Sequence, residues 1–391
     1  MAMLRILTAG ESHGPSLVGI LEGMPAGLAL NREKIVAQMS RRQAGLGRGG
    51  RMKIETDRVE ILSGLRFGVT LGTPIAMRVA NLDWENWKDR MDPWSGREDD
   101  PVRIPRPGHA DLAGAVKYGH TDIRNVLERA SARETAMRVA IGAVLRQMLE
   151  PFGVWIGSHV IRIHRASAET TFRDLLELKK PEAEMEILKR AGLAETSDLR
   201  CADTAAAEEM RSAVREAAEK GDTVGGAFEA AALNVPTGLG SHVMWDRRLD
   251  GRIAAAVMSI PAVKSVEIGI GADAAGRLGS EVHDAIVPGD DCPARSTNRA
   301  GGIEGGISNG QPILVRAVMK PIPTLKKPLP SVRLDTGSPT DAHHERSDVC
   351  AVPSAAVVAE AMLAMTLAEA FMERYGGDTF DQMRRRFDEI R

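Results

Sequence analysis

The sequence predicts an α+β fold whose core contains closely packed helices. Patterns typical of helices and patterns typical of strands both recur along the 391 residues. Hydrophobic residues make up 43% of the chain but aromatic residues only 4%. The core must therefore be aliphatic and rich in alanine, and small side chains allow helices to approach one another. A chain of this length can form either two lobes or one large domain.

Capping signals place the first helices. Asn31 can cap a helix that runs to about residue 42, with Gly45 at its end. Ser131 and Glu134 have capping-box spacing and precede an apolar run with helical period. Further predicted elements are helices at 204–220, 246–258 and 353–375, strands at 4–8, 154–163, 226–235, 263–268 and 313–319, a helix-prone charged segment at 167–200 and a loop at 273–300.

Composition excludes several classes of protein. The net charge is -2, which gives no overall basic field for nucleic acid or for an anionic membrane surface. The sequence contains no run of about 18 uninterrupted apolar residues, so we expect no membrane span. The N-terminus lacks a signal-peptide pattern. Cys201, Cys292 and Cys350 are scattered and form no C-x-x-C pair. We therefore expect a reducing, cytoplasmic location.

The stretch from Arg106 to Arg138 is the strongest candidate for an anion site. It contains arginines and histidines in a segment that we interpret as a loop up to about Ser131, where a helix begins. A helix N-terminus favours anions, and arginine side chains add paired donors for phosphate or carboxylate. Arginines recur in separated loops around residues 42–51, 106, 129–133 and 346, and we expect few carboxylates near them. A solvated basic loop ahead of an ordinary helix is the alternative.

The sequence also contains two glycine-rich loops, one before this stretch and one well after it. Gly45, Gly47 and Gly50 match G-x-G-x-x-G, but a helix precedes them and a strand pattern follows, so a dinucleotide fold is rejected. We expect this loop to carry arginines towards an anion and residues 45–51 to be mobile without ligand, because the arginines would repel one another. A solvated basic loop is the alternative. The second loop, at 301–310, either approaches a ligand closely or forms tight turns between strands.

Histidines in glycine-flanked turns indicate proton transfer. His13 and His109 both lie in such turns, although a histidine there can simply bond to the backbone. His343 and His344 are adjacent, so we expect no metal site. Residues 83–100 contain three tryptophans and predict either a lid or a plain surface excursion. Together these features predict a pocket for a small polyanion.

Ten blocks of the sequence resemble the chorismate synthase family. They cover nearly the whole chain, apart from the insert at 83–100 and the segment at 167–200. The blocks are GESHG at 10–14, RRQAGLGRGGRM at 41–52, SG at 63–64, RPGHADLAGAVKYG at 106–119, DIRNVLERASARETAMRVA at 122–140, GGAFE at 225–229, MSIPAVKSVEIG at 258–269, GGIEGGISNGQPI at 301–313, KPIPTL at 320–325 and ERSDVCAVP at 345–353.

The resemblance implies a lyase that converts 5-enolpyruvylshikimate 3-phosphate to chorismate and phosphate by anti-1,4-elimination, in the shikimate pathway of aromatic amino-acid biosynthesis. It implies a need for reduced FMN without net redox change. It also implies one catalytic domain over residues 1–391, with long central helices between antiparallel sheets, assembled as a homotetramer. The sequence leaves open whether the protein reduces its flavin with NADPH. No additional reductase domain is visible, so we expect an external flavin reductase.

The resemblance also implies roles for individual residues. His13 would act as acid for the departing phosphate, His109 would protonate or stabilise reduced flavin at its N1 side, and Asp348, relayed by Ser12, would take the N5 proton. Substrate anions, or NADP, would contact Arg42, Arg48, Arg51, Arg106 and Arg133. FMN would contact Arg129, Ala130, Ser131, Pro261, Ala262, Gly305, Lys320, Pro321, Ile322, Pro323, Thr324 and Arg346.

Two positions depart from the family pattern. Pro261 stands where a polar residue such as asparagine or glutamine is expected, and Pro323 stands where serine is expected. Each proline removes a side-chain donor and a backbone N–H, so we expect weaker or rearranged FMN contacts. We also expect Arg346 to hold Asp348 ionised.

Two other functions deserve comparison. An RNA-binding protein would use glycine–arginine loops, but the charge and the lack of stacking aromatics oppose it. A nicotinamide dehydrogenase is opposed by the misplaced glycine pattern.

Overall fold

Two antiparallel sheets lie on either side of a pair of long helices. The computed structural model describes residues 4–49, 55–95, 101–289, 293–345 and 347–390. The helices are α1 Arg32–Gln43, α2 Lys88–Met91, α3 Asp111–Tyr118, α4 Arg124–Ala130, α5 Thr135–Leu149, α6 Lys180–Glu195, α7 Thr204–Glu219, α8 Leu249–Met258, α9 Gly279–Val282, α10 Val352–Tyr375 and α11 Phe380–Ile390. The strands are β1 Arg5–Ala9, β2 Ser16–Glu22, β3 Val59–Ile61, β4 Leu65–Arg66, β5 Val69–Thr70, β6 Ile75–Ala80, β7 Trp155–Ile163, β8 Ala166–Ser167, β9 Gly226–Leu233, β10 Val263–Ile268, β11 Ile286–Val287, β12 Ala294–Arg295, β13 Ile303–Glu304, β14 Ile307–Ser308, β15 Ile313–Met319, β16 Pro330–Val332 and β17 Pro339–Asp341.

Helices α5 and α10 form the central layer, and each packs on one of the two sheets. Helix α5 packs on β2 and β6 of a four-stranded sheet with the order β1-β2-β6-β3. Helix α10 packs on β7 and β9 of a five-stranded sheet with the order β10-β15-β9-β7-β8. The two helices contact each other, and α1 contacts both. The predicted α+β fold, with long central helices between antiparallel sheets, is confirmed.

Small side chains let α5 and α10 approach closely. A Cβ atom added at Gly142 would lie 2.5 Å from the Cβ of Ala361, too close for two carbons to coexist. Helix α10 is long and apolar enough to cross a membrane by length and composition, but 89% of its most apolar window is buried inside the protein. It is therefore a core helix, and the expected alanine-rich helix packing is confirmed.

The interpretation of residues 106–131 as a loop was wrong. Helices α3 and α4 lie within this stretch. Helix α3 ends at Gly119, whose φ of 67° suits glycine. Ser131 accepts a hydrogen bond from the Arg133 N–H and caps a 3₁₀ turn, and α5 itself begins only at Thr135. Both helices are short and partly exposed, so they carry little apolar periodicity for a sequence pattern to detect.

The other predicted elements agree with the structure to within a few residues, with additions. The loop at 301–310 contains the hairpin β13–β14, which supports the prediction of tight turns. Within the described part of 273–300, the predicted loop contains α9 and a short β11–β12 pair. The strand pattern after the first glycine loop falls mostly on residues outside those described. Strands β2 and β6 and helix α11 were not predicted.

Candidate active site

A cavity of about 640 Å³ opens between the ends of α4, α8 and β15 and the start of α10. The structure brings most of the predicted site residues to its wall. Those residues are Ser12, His13, Arg42, Arg48, Arg106, His109, Ala130, Ser131, Arg133, Pro261, Ala262, Lys320, Ile322, Pro323, Thr324 and Asp348.

His13 is held by a carboxylate that the sequence did not identify. Its backbone N–H donates to Oε2 of Glu128 over 2.7 Å, and its ring Nδ1 lies 2.9 Å from Oε1. Glu128 is 2% exposed. Because Nδ1 is engaged there, proton transfer into the cavity would use Nε2. Glu128 lies one helical turn after Arg124, and that i,i+4 spacing was the available signal.

His109 and Arg106 share a second buried carboxylate. Oδ1 of Asp111 lies 2.5 Å from His109 Nδ1, and its Oδ2 accepts from the Arg106 Nε over 2.8 Å. Burial alone would raise the pKa of Asp111, but the hydrogen bonds from His109 and Arg106 outweigh it and hold the pKa far below its usual range. Arg106 also donates to the hydroxyl of Thr324 over 2.9 Å. Asp111 therefore fixes both a ring and a guanidinium at the cavity wall.

The expectation of few carboxylates near the arginines was wrong. Arg42 pairs with Oδ2 of Asp57 over 3.0 Å, and Arg133 pairs with both Asp57 and Glu55. Burial lowers the pKa of Arg42 to about 10, because Asp57 only partly offsets the loss of hydration. The two carboxylates lie on the segment after the first glycine loop, remote in sequence from Arg133, so no local motif connects them.

The expected repulsion in the glycine–arginine loop is relieved by counter-ions. Arg48 Nη1 lies 2.5 Å from Asp348 Oδ2, and the Gly49 N–H donates to Oδ1 over 2.6 Å. Arg42 has Asp57 as its partner. The two arginines still repel each other, but the carboxylates offset this repulsion, and the mobility of residues 45–51 stays a prediction. Arg48 is therefore a counter-ion of Asp348, and the expected contact of Asp348 with Arg346 involves a residue outside those described.

A few predicted residues lie away from the cavity. Arg129 Nη1 donates to the Gly10 carbonyl and its Nη2 to that of Thr8, while Pro321 lines a neighbouring cavity of about 520 Å³. Gly305 occupies the β13–β14 turn with φ 57°. Arg51 and Arg346 lie outside the described residues.

Two segments provide much of the apolar lining of the cavity. The apolar residues are Met258, Ile260, Pro261, Ala262 and Val263 from one segment and Met319, Ile322 and Pro323 from the other. Ala262 adopts a φ of 69°, which turns the chain at the end of α8. Lys320 Nζ donates to the Gly108 carbonyl over 2.6 Å. An apolar face beside convergent donors suits a flat ligand together with an anionic one. Within the described ranges, no cluster of three metal-ligating side chains occurs.

Comparisons with known proteins identify relatives over the full length of the chain. A family model described as chorismate synthase matches residues 4–372. The chain is 53% identical over 390 residues to the chorismate synthase of Aquifex aeolicus, covering 99% of this chain and 97% of that one. It is also 53% identical to the chorismate synthase of Desulforudis audaxviator, covering 100% and 98%. A crystal structure of chorismate synthase superposes with a TM-score of 0.79 at 43% identity, covering 99% and 97% of the two chains.

Proposed function

The chain belongs to the chorismate synthase family, lyases that catalyse an elimination step of the shikimate pathway, and on that premise we propose how its cavity performs this step. We propose that the cavity takes 5-enolpyruvylshikimate 3-phosphate and reduced FMN, and releases chorismate and phosphate by anti-1,4-elimination. The supporting observation is that two histidines, each held by a buried carboxylate, line one cavity together with four arginines.

The arginines match the charges of the substrate. The substrate carries one phosphate and two carboxylates, and guanidinium groups bind both with paired donors. Arg42, Arg106 and Arg133 are each less than 10% exposed and are fixed by carboxylates. They therefore need little rearrangement to receive an anion, and binding loses little conformational entropy.

The residues present fit reduced FMN. The apolar lining offers a face for a planar ring, and Pro261, Ala262, Ile322 and Pro323 would lie against it. Ser131, Lys320 and Thr324 supply polar groups at its edge. When bound, reduced FMN supplies redox chemistry that leaves no net change of oxidation state. Pro261 and Pro323 add apolar surface where the family pattern has donors, so affinity would depend more on ring contacts than on hydrogen bonds.

Each proton-transfer group has a distinct position. His13 would donate a proton through Nε2 to the departing phosphate, because Glu128 holds the other side of its ring. His109 would hold a proton towards the flavin N1 side, with Asp111 fixing its Nδ1. Asp348, which lines the same cavity as Ser12, would accept the N5 proton, and its contact with Arg48 holds the carboxylate in place.

Assembly, flavin supply and location are part of the same proposal. Exposed apolar residues on paired strands, Leu7 at 67% and Ile20 at 44%, support burial against further copies in a homotetramer. We propose that an external reductase, rather than NADPH bound to this chain, supplies reduced FMN. Both described cysteines are free and buried, which is compatible with the cytoplasm.

Anaerobic flavin binding tests the proposal. FMN reduced by dithionite is added to the protein with and without substrate, and the absorbance spectrum and retention on gel filtration are recorded. We expect the spectrum to change only when protein and substrate are both present. Lys320→Gln should weaken FMN retention, while Lys326→Gln, which changes an exposed lysine outside the cavity, should not. An unchanged spectrum with no retained flavin would contradict the proposal.

A further inference from the structure

The insert that begins at residue 83, for which the sequence predicts either a lid or a plain surface excursion, carries a tryptophan that stacks on His13. Trp87 lies between the 3₁₀ turn Leu82–Asn86 and α2. Its ring centroid is 4.0 Å from that of the His13 imidazole, with an interplanar angle of 28°. Trp87 also lines the cavity, whereas Trp94 on the same segment is 95% exposed. The insert therefore covers one face of the histidine assigned to the departing phosphate.

Trp87 belongs to a closed circuit of contacts around His13. The Arg124 guanidinium lies 4.9 Å from the Trp87 ring centroid, a cation–π distance. Arg124 Nη1 lies 3.2 Å from Glu128 Oε1, and the same oxygen contacts His13 Nδ1 over 2.9 Å. Each of the four side chains thus contacts two others, so the imidazole plane and its hydrogen bond are fixed together.

Hydrogen bonds of Asn81 attach the start of this segment to the turn that carries His13 and to Arg133. Asn81 donates to the carbonyls of Glu11 and Gly14, on the turn that carries His13, and accepts from the Arg133 Nε over 2.9 Å. The indole Nε1 of Trp87 donates to Asp83, which is 2% exposed. These hydrogen bonds therefore hold the indole ring in its position against His13.

We propose that Trp87 is a positioning residue for His13, which holds the imidazole with Nε2 towards the cavity and keeps water from its covered face. The inference rests on the proposed function, since that assigns His13 to the departing phosphate. Loss of the indole would remove the contact that fixes the plane of the imidazole, so the ring could tilt about the contact of its Nδ1 with Glu128. Misplacement by about 1 Å can reduce a rate on the order of 10²-fold, so the effect belongs to kcat and not to substrate binding.

Steady-state kinetics of variants separates positioning from general stability. Under anaerobic conditions with saturating reduced FMN, Trp87→Leu should lower kcat by about 10- to 100-fold with KM changed less than about threefold. Trp87→Phe, which keeps a stacking ring, should recover most of the rate. Trp94→Leu on the same segment is the matched control and should behave as the parent protein.

A double-mutant cycle shows whether Trp87 acts through His13. Adding Trp87→Leu to His13→Ala should cause no further loss of kcat, because the group that it positions is absent. An equal loss in both backgrounds, or parental kcat in Trp87→Leu, would overturn the proposal.

Fluorescence provides a readout independent of turnover. The emission of Trp87, taken as the difference between the parent and Trp87→Phe, should change in the His13→Ala background and on addition of substrate. If Trp87→Leu failed to fold, this comparison would still decide, since unaltered Trp87 emission without His13 would overturn the stacking. If the parent released no phosphate from the substrate, the reaction assignment would fail, while the emission difference would still report whether Trp87 covers His13.

Discussion

Replacing Asp111 with asparagine tests how the cavity holds its second histidine. The carboxylate accepts the Arg106 backbone N–H over 3.0 Å and its Nε over 2.8 Å on one oxygen. The other oxygen lies 3.1 Å from the Arg106 Nη2 and 2.5 Å from the His109 Nδ1. An amide has only one oxygen, so Asp111→Asn cannot accept on both sides. Its NH₂ group must face either the backbone N–H and Nε of Arg106, or the Arg106 Nη2 together with the ring Nδ1 of His109.

Either orientation of the amide disturbs the site: one mainly lowers the turnover rate, and both lower the stability. An amide NH₂ facing Nδ1 would force the other tautomer of His109, and a positioned acid or base contributes about 10²- to 10⁴-fold to the rate. Arg106 would also lose its buried counter-ion, which costs about 3–5 kcal/mol. For a chain of this length that loss corresponds to a fall in Tm of about 4–6 °C. We therefore expect a folded but less stable protein with turnover reduced about 10²-fold or more.

Two measurements on the same preparation check this expectation. Thermal unfolding gives the stability, and phosphate release per folded molecule with saturating reduced FMN gives the turnover. Asp335→Asn is a matched control, because Asp335 also joins two arginines, Arg103 and Arg333, but at the surface. Both quantities should be unchanged in the control. If Asp111→Asn lost stability but kept the parental turnover per folded molecule, Asp111 would have no part in positioning His109.

Two further changes probe the core and the proposed base. Burial alone would raise the pKa of Glu360, but Arg41 and two further arginines outweigh it and hold the pKa at about 2. Its fall from the ordinary 4.5 corresponds to ~3 kcal/mol of stability, present above about pH 4.5 and lost as the pH falls towards 2. In urea unfolding at pH 7, Glu360→Gln should lower the free energy of unfolding by at least that amount, and a loss below ~1 kcal/mol would contradict the reasoning. Asp348→Asn should still bind FMN and substrate while turnover drops at least about 10²-fold, and retained turnover with reduced stability would remove Asp348 from the mechanism.

The elements best predicted from sequence are those whose own residues carry a capping residue or an apolar pattern. Asn31 accepts hydrogen bonds from the N–H groups of Glu33 and Lys34, as a helix cap should. Helix α10 is apolar on almost every side, which marks a central helix. Helices α3 and α4 escaped prediction because they are too short to develop an apolar stripe. The order of strands within the sheets was not predicted, since pairing joins residues remote in sequence.

The residues of the candidate site likewise fall into those with a local sequence signal and those joined only by tertiary packing. His13 and His109 could be identified because glycine-flanked turns mark them locally. Asp57 could not, because it meets Arg42 and Arg133 only after the chain has folded. Arg129 was assigned to the cavity through the family blocks, yet in this chain it bonds to backbone carbonyls of the first strand and turn. Local chemistry thus predicts which groups can react, whereas their counter-ions depend on tertiary packing.

The most direct test of the account is anaerobic product formation from 5-enolpyruvylshikimate 3-phosphate. Chorismate and phosphate should form in equal amounts with the protein and reduced FMN. The flavin should still be reduced when the substrate is exhausted. Omitting FMN, or supplying it oxidised without a reductant, should abolish the reaction. Equal rates with oxidised FMN or with none, or one flavin oxidised for each chorismate formed, would contradict the account.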